Sequence, residues 1–243
     1  GEDIFAKAHL DLRTERGVAG GFEFEAAKFR DNPNIGRLNL YYANDSNPQL
    51  AFNGLTRTEP VDPNRYRVNF QHRIYFPGSD DETFFLDFDI NKLSDAFVYE
   101  DFAPGEFRVD PRPDNLINLN KLFDQGEISL TGRFAINDFF QTDTRSPELA
   151  IDVIRTPLGE SGFFYEGLTT YGIIDEELAE ESIRAGLIDP PGFNRFQTYH
   201  EFLFPTQLAG FLNVTPRAGV GYRNYSNFDI PGIDTFESTT THA

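Results

Sequence analysis

Between Arg65 and Phe102 the chain alternates residue by residue. Tyr66, Val68, Phe70, His72, Ile74 and Phe76 fall on one side of an extended backbone. Arg65, Arg67, Asn69, Gln71, Arg73 and Tyr75 fall on the other. After Pro-Gly-Ser-Asp-Asp, the apolar series Phe84, Leu86, Phe88 and Ile90 alternates with Phe85, Asp87, Asp89 and Asn91. A period of two marks strands with one apolar and one polar face, and the short turn between them predicts a hairpin. Arginines on one strand face aspartates on the next, so cross-strand ion pairs are expected.

The same pattern recurs along the chain. Ala6–Leu12, Phe22–Ala26, Leu38–Tyr42, Ile128–Ile136, Leu149–Val153, Phe163–Tyr171, Phe196–Phe204 and Leu212–Tyr222 all alternate, Asn115–Leu122 forms a hairpin with Glu127–Asn137, and Gln49–Thr56 reads as a weaker strand. A loop holding Asp138–Pro147 precedes Leu149, and the tail after Tyr225 reads as a loop. Asp175–Gly186 is the one predicted helix, with an acidic first turn and a terminal glycine. The count is about twelve strands of roughly ten residues, near the 9–11 that a tilted membrane strand needs. Numbered with Gln49–Thr56 as the fourth strand, short connections follow odd strands and long ones follow even strands. Outer-membrane barrels segregate their loops in this way.

Charge sharpens the reading of the two faces. Arg65, Arg67, Asn69, Gln71, Arg73, Asp87, Asp89 and Arg133 share the polar side. Burying so many ions in a dry core would cost several kcal/mol for each unpaired one, whereas a water-filled lumen accepts them. Phe70, Ile74, Phe84, Leu86 and Phe88 are then the lipid-facing candidates. The predicted fold is all-β: an antiparallel up-and-down transmembrane barrel, incomplete, with one short helix in a loop. A soluble sandwich with its polar face in solvent produces the same alternation.

Composition narrows the function classes. A net charge of −18 argues against nucleic acid. With Cys 0, no thiol chemistry or disulfide is available. The chain has Met 0 and opens in mid-pattern, so it reads as a piece of a longer or processed protein. His9, His72, His200 and His242 stand at no metal-ligand spacing and read as strand residues. Asp87-Phe88-Asp89 reads as one polar strand face, and Gly159-Glu160-Ser161-Gly162-Phe163 lacks the last glycine of a nucleophile elbow. No catalytic constellation, metal site or cofactor site emerges, and no enzyme is expected.

Residue order adds a resemblance. Leu12-Arg13-Thr14-Glu15-Arg16-Gly17, Gly36-Arg37-Leu38-Asn39-Leu40-Tyr41-Tyr42 with Asp45, and Arg65–Arg73 occur in that order. Ser94-Asp95-Ala96-Phe97 with Glu100-Asp101-Phe102 follows, then Arg145-Ser146-Pro147-Glu148-Leu149, and Tyr199-His200-Glu201 with Phe204-Pro205 and Thr215-Pro216. Together these resemble the barrel domain of the LPS-assembly protein LptD family, also called the organic solvent tolerance (OstA) family. The most specific element is Ser94, Asp95, Glu100, Asp101 and Phe102, expected to anchor an external loop. The resemblance takes residues 1–243 as a partial barrel domain, without the family's N-terminal jellyroll, final strands or cysteines. It implies a bacterial outer-membrane translocon that passes lipopolysaccharide through its lumen into the outer leaflet. An LptA-like periplasmic bridge, an LptE-like lipoprotein plug and outer-membrane lipid are the implied partners. A porin or receptor barrel and a secreted carbohydrate-binding β-sandwich are the alternatives.

Overall fold

In the computed structural model, residues 4–26, 35–51, 53–76, 83–226 and 238–242 are described. The strands are β1 (Ile4–Arg13), β2 (Gly17–Ala26), β3 (Ile35–Asp45), β4 (Asn64–Tyr75) and β5 (Phe84–Leu93). Helices α1 (Val98–Phe102) and α2 (Pro104–Val109) come next, before β6 (Leu116–Phe123), β7 (Gly126–Arg133), β8 (Thr142–Pro157) and β9 (Phe164–Glu177). The chain ends with α3 (Glu180–Arg184), β10 (Phe193–Leu203), β11 (Thr206–Leu208), β12 (Leu212–Val214), β13 (Arg217–Ser226) and β14 (Ser238–His242). One 12-stranded sheet runs β1 to β10, then β13 and β14, while β11 and β12 form a separate hairpin. Each strand pairs antiparallel with its sequence neighbour in the sheet, and β1 and β14 are the two edges, so the sheet is open rather than closed.

Several expectations need correction. Gln49–Thr56 is not a strand: it contributes one bridge, Leu50 to Thr56, within the connection 46–63. Gly54 in the left-handed region (φ 83°) and the bond from Ala51 N–H to the Leu55 carbonyl turn the chain there. Losing that strand moves the connection 46–63 to the same end as 94–115, 134–141 and 178–192. Loops therefore still segregate by end. The exceptions are the tight turn at 14–16 among the long loops and, at the opposite end, the β11–β12 hairpin and the connections 27–34 and 76–83, each as long as 134–141. The turn expected at 77–81 lies outside the described residues.

The helix is shorter than its composition suggests. Asp175, Glu176 and Glu177 belong to β9, opposite Thr144, Asp143 and Thr142, because ladder pairing with β8 overrides local helix preference. Only Glu180–Arg184 turns helical. Strand β8 begins at Thr142, inside the expected loop, and a register shift between Arg145 and Glu148 accommodates Pro147, which has no N–H for the ladder. The tail after Tyr225 carries a strand after all: β14 pairs Ser238–His242 with Tyr225–Gly221.

The two faces of the sheet differ sharply. On one face Leu40, Phe70, Leu130, Ile151, Phe202 and Val220 are all more than a third exposed, and they extend from β3 to β13. The other face carries the only hydrophobic core cluster among the described residues. There Val98, Tyr99 and Phe102 of α1 pack on Ala19, Tyr41, Ala43 and Leu93. The chain exposes 15360 Å², against about 11,000 Å² for a compact monomer of its mass. The excess is what a single sheet with an uncovered apolar face produces.

Strand β6 stops pairing at Leu116, opposite Asp89, so the last residues of β5 need other partners. Two buried asparagines supply them. Asn115 Oδ1 accepts from Asn91 N–H, Asn137 Oδ1 accepts from Leu93 N–H at 2.9 Å, and Asn137 Nδ2 donates to the Asn91 carbonyl at 2.7 Å. Asn137 thus imitates a strand residue with its side chain. Asn137→Ala is expected to cost about 1–3 kcal/mol, because two buried backbone groups lose their partners. Amide hydrogen exchange at Leu93 should accelerate while exchange at Phe70 stays slow.

Candidate functional site

The β4–β5 register makes the polar face a ladder of matched pairs. Arg73, Gln71 and Asn69 stand directly opposite Asp87, Asp89 and Asn91. Arg73 grips Asp87 with two parallel bonds of 2.6 and 2.7 Å, the strong bidentate geometry of guanidinium and carboxylate. Gln71 donates to Asp89 at 3.1 Å and Asn69 to Asn91 at 2.8 Å. Arg73 also lies 4.1 Å from the Phe85 ring centroid. The expected cross-strand pairing is thus present, and Arg133 shares this face, paired to Asp114. Farther along the face, Glu148 accepts from both Arg145 and Arg195.

Toward the long-loop end the ladder turns into a buried ion cluster. Arg65 is fully buried. Its Nε and Nη2 bond Asp95 at 3.0 and 2.6 Å, and its Nη1 bonds Asp45 at 3.1 Å and Asp101 at 2.6 Å. Arg16 joins Asp45 at 2.9 Å and Asp101 at 2.8 Å. Arg57 reaches both oxygens of Asp101, at 2.9 and 3.0 Å. One carboxylate therefore serves three guanidiniums, and Asp45 and Asp95 complete the charge balance. Glu100 sits at the margin, 3.5 Å from Arg57 and one-third exposed.

Helix α1 is held by this cluster. Arg13 donates to the carbonyls of Asp101 and Phe102 at 3.1 and 3.2 Å, satisfying two of the orphan acceptors at the helix end. Arg13, Arg65 and Arg16 lie 5.0, 5.1 and 5.7 Å from the Phe102 ring centroid, within cation–π range. Tyr99 accepts from Asn69, and burial pushes its hydroxyl pKa up. Ser94 donates to Asp95 at 2.6 Å, which in turn caps Phe97 N–H at 2.9 Å.

The sequence-predicted residues thus meet in part. Arg65 and the Ser94–Phe102 element, read separately as strand face and loop motif, are one structure. Arg67 and Asn69 lie beneath it, while Gln71, Arg73, Asp87, Asp89 and Arg133 lie farther along the same face. Phe70, Ile74, Phe84, Leu86 and Phe88 fall together on the opposite face. Arg16 and Asp45 entered the sequence reading only as members of family-like pieces, and Arg57, just after the segment mistaken for a strand, was not singled out. The one signal of Arg57 was charge at a position where no alternation explains it.

Three of the histidines are packing residues. His9, His72 and His200 stand directly opposite Gly21, Gly36 and Gly167, where a Cβ would come within 3.0 Å of each ring. His200 also bonds Tyr165 and Thr198, each at 2.7 Å. Among the described residues no group of His, Asp or Glu could hold a metal ion, and no helix is long and apolar enough to cross a membrane. No known family model and no curated protein matches the chain.

Proposed function

We propose that this chain is part of an outer-membrane β-barrel, with its apolar face toward lipid and its charged face toward an aqueous lumen. The observation that carries this reading is the uncovered apolar face across the sheet, backed by a face of paired ions. Monomeric soluble proteins rarely leave contiguous apolar patches beyond a few hundred Å², and among the described residues no second sheet covers this one. That weighs against the sandwich alternative. Segregation of long loops to one end is a further support.

Within that class we favour a translocon of the LptD type, moving lipopolysaccharide without enzymatic chemistry. The support is internal. Arg16, Asp45, Arg65, Asp95, Asp101 and Phe102 were matched to that family piece by piece along the sequence, and they converge in one cluster. On this reading an LptA-like bridge delivers the substrate and an LptE-like plug occupies the lumen. A general porin is the second reading, favoured by the mixed-charge polar face. Photo-crosslinking in intact outer membranes separates the two. A photoreactive residue at Gln71 or Asp89 is expected to capture lipopolysaccharide, and one at Leu40 to capture membrane phospholipid. Capture of no lipopolysaccharide at either polar position favours the porin.

A further inference from the structure

We propose that the cleft between α2 and strands β3 and β4 binds a neutral sugar ring. The proposal rests on the reading that the polar face is open to water. The cleft, about 240 Å³, lies between Glu106 and the side chains of Arg37, Asn39, Asn69 and Gln71. It adjoins clefts of about 450 and 220 Å³ that share Arg37.

Three features define its ligand. Arg37 is exposed and makes no hydrogen bond or ion pair among the described residues, so its donors are available. Asn39 and Asn69 stand directly opposite each other, and each has a buried Oδ1 with no donor, while the neighbouring Arg67 has a buried Nε with no acceptor. Buried polar groups are ordinarily paired, so unpartnered acceptors and a donor side by side mark a place for a partner offering both. The formal charges around the cleft balance, Glu23, Glu25 and Glu106 against Lys7, Arg37 and Arg67. Neither an anion nor a cation is favoured. A ring of hydroxyls donates to the asparagine oxygens and accepts from the guanidiniums without adding charge.

Helix α2 is the cover. None of its residues is buried: Glu106 ties it to Arg67, and Phe107 packs, partly buried, against the edge of the core cluster. Helix α1, by contrast, is anchored by the ion cluster. In the proposed site α2 shifts about the Ala103–Pro104 junction to admit the ring, carrying Glu106 away from the asparagines while α1 stays fixed.

The chain has Trp 0, so Phe107→Trp places a single fluorophore on α2. The full chain, held in a polyoxyethylene detergent without sugar headgroups, would be titrated with maltotriose, with a neutral heptose oligosaccharide and with inorganic phosphate. A saturable response to a neutral sugar at millimolar concentration is expected. Arg37→Gln and Asn39→Ala should each weaken it about tenfold or more, and Arg155→Gln, on a distant surface pair, should leave it unchanged. Circular dichroism would confirm that each variant keeps its strand content. No saturable response to either sugar, an equal response in the two cleft variants, or saturation by phosphate would overturn the proposal. Liposome flotation of the same sample tests the membrane reading separately. Sugar binding without flotation keeps the site and removes the barrel. Flotation without sugar binding does the reverse.

Discussion

Asp101→Ala is expected to destabilise the loop-bearing end of the sheet by about 3–5 kcal/mol, the usual cost of removing one partner from a buried ion pair. The substitution leaves Arg16, Arg57 and Arg65 without the carboxylate that joins them. Arg65 feels it most, because it is fully buried and cannot turn to water. Asp45 and Asp95 remain, but they hold only some of the guanidinium hydrogens. Helix α1 should detach, and residues 94–115 should become sensitive to proteolysis in a chain whose other strands stay protected. Glu100→Gln, one residue away, is the control. Its carboxylate is partly exposed and 3.5 Å from Arg57, so the change should stay within about 0.5 kcal/mol.

The second large effect concerns the opposite face. Leu130→Arg puts a charge in the middle of the apolar face, between Leu119 and Leu149. If that face meets hydrocarbon, the cost is about 2–4 kcal/mol near the midplane, and the variant should fail to accumulate in the outer membrane. Thr131→Arg, on the next residue, points to the polar face beside Asn118 and Glu148 and should insert normally. Were the face simply bathed in water, the two variants would behave alike. Fractionation of membranes by density gradient compares them directly.

How much of this was legible in the sequence depends on the physical origin of each feature. The hairpin of β4 and β5 was readable because its period of two is strict and its charges oppose across the register. Arg73 and Asp87 meet as their positions predicted. The segment Gln49–Thr56 misled because a few apolar residues near a turn resemble a strand, and only Gly54 at positive φ reveals the bend. Asp175–Glu177 misled in the other direction: acidic residues suit a helix start, but pairing with β8 decided the matter. Helices α1 and α2 were missed because each is a single short turn of backbone held by tertiary contacts, and such pieces carry almost no periodicity.

The candidate site was half legible. Arg65 and the Ser94–Phe102 element stood out, one by pattern and the other by resemblance. Their contact did not, because it joins residues 36 positions apart through a loop whose path no local rule dictates. The participation of Arg16 and Asp45 follows from the β1–β2 turn meeting the end of β3. Gly17, at φ 87°, allows that approach, since a Cβ there would lie 2.7 Å from the Asn44 carbonyl oxygen. The unpartnered Asn39 and Asn69 oxygens are visible only once α2 is placed over them.

The central claim is that the two faces of one sheet meet two different solvents. The chain has Cys 0, so single cysteines can be placed at Asn69, Phe70, Gln71, Leu130, Thr131 and Ile151 without background. With the protein in membranes, each would carry a fluorophore read against brominated lipid and a water-soluble quencher. The account predicts strict alternation: lipid quenching at Phe70, Leu130 and Ile151, and aqueous quenching at Asn69, Gln71 and Thr131. Aqueous quenching at Phe70, Leu130 and Ile151, or protection of those three from both quenchers as in a dry protein core, would contradict it.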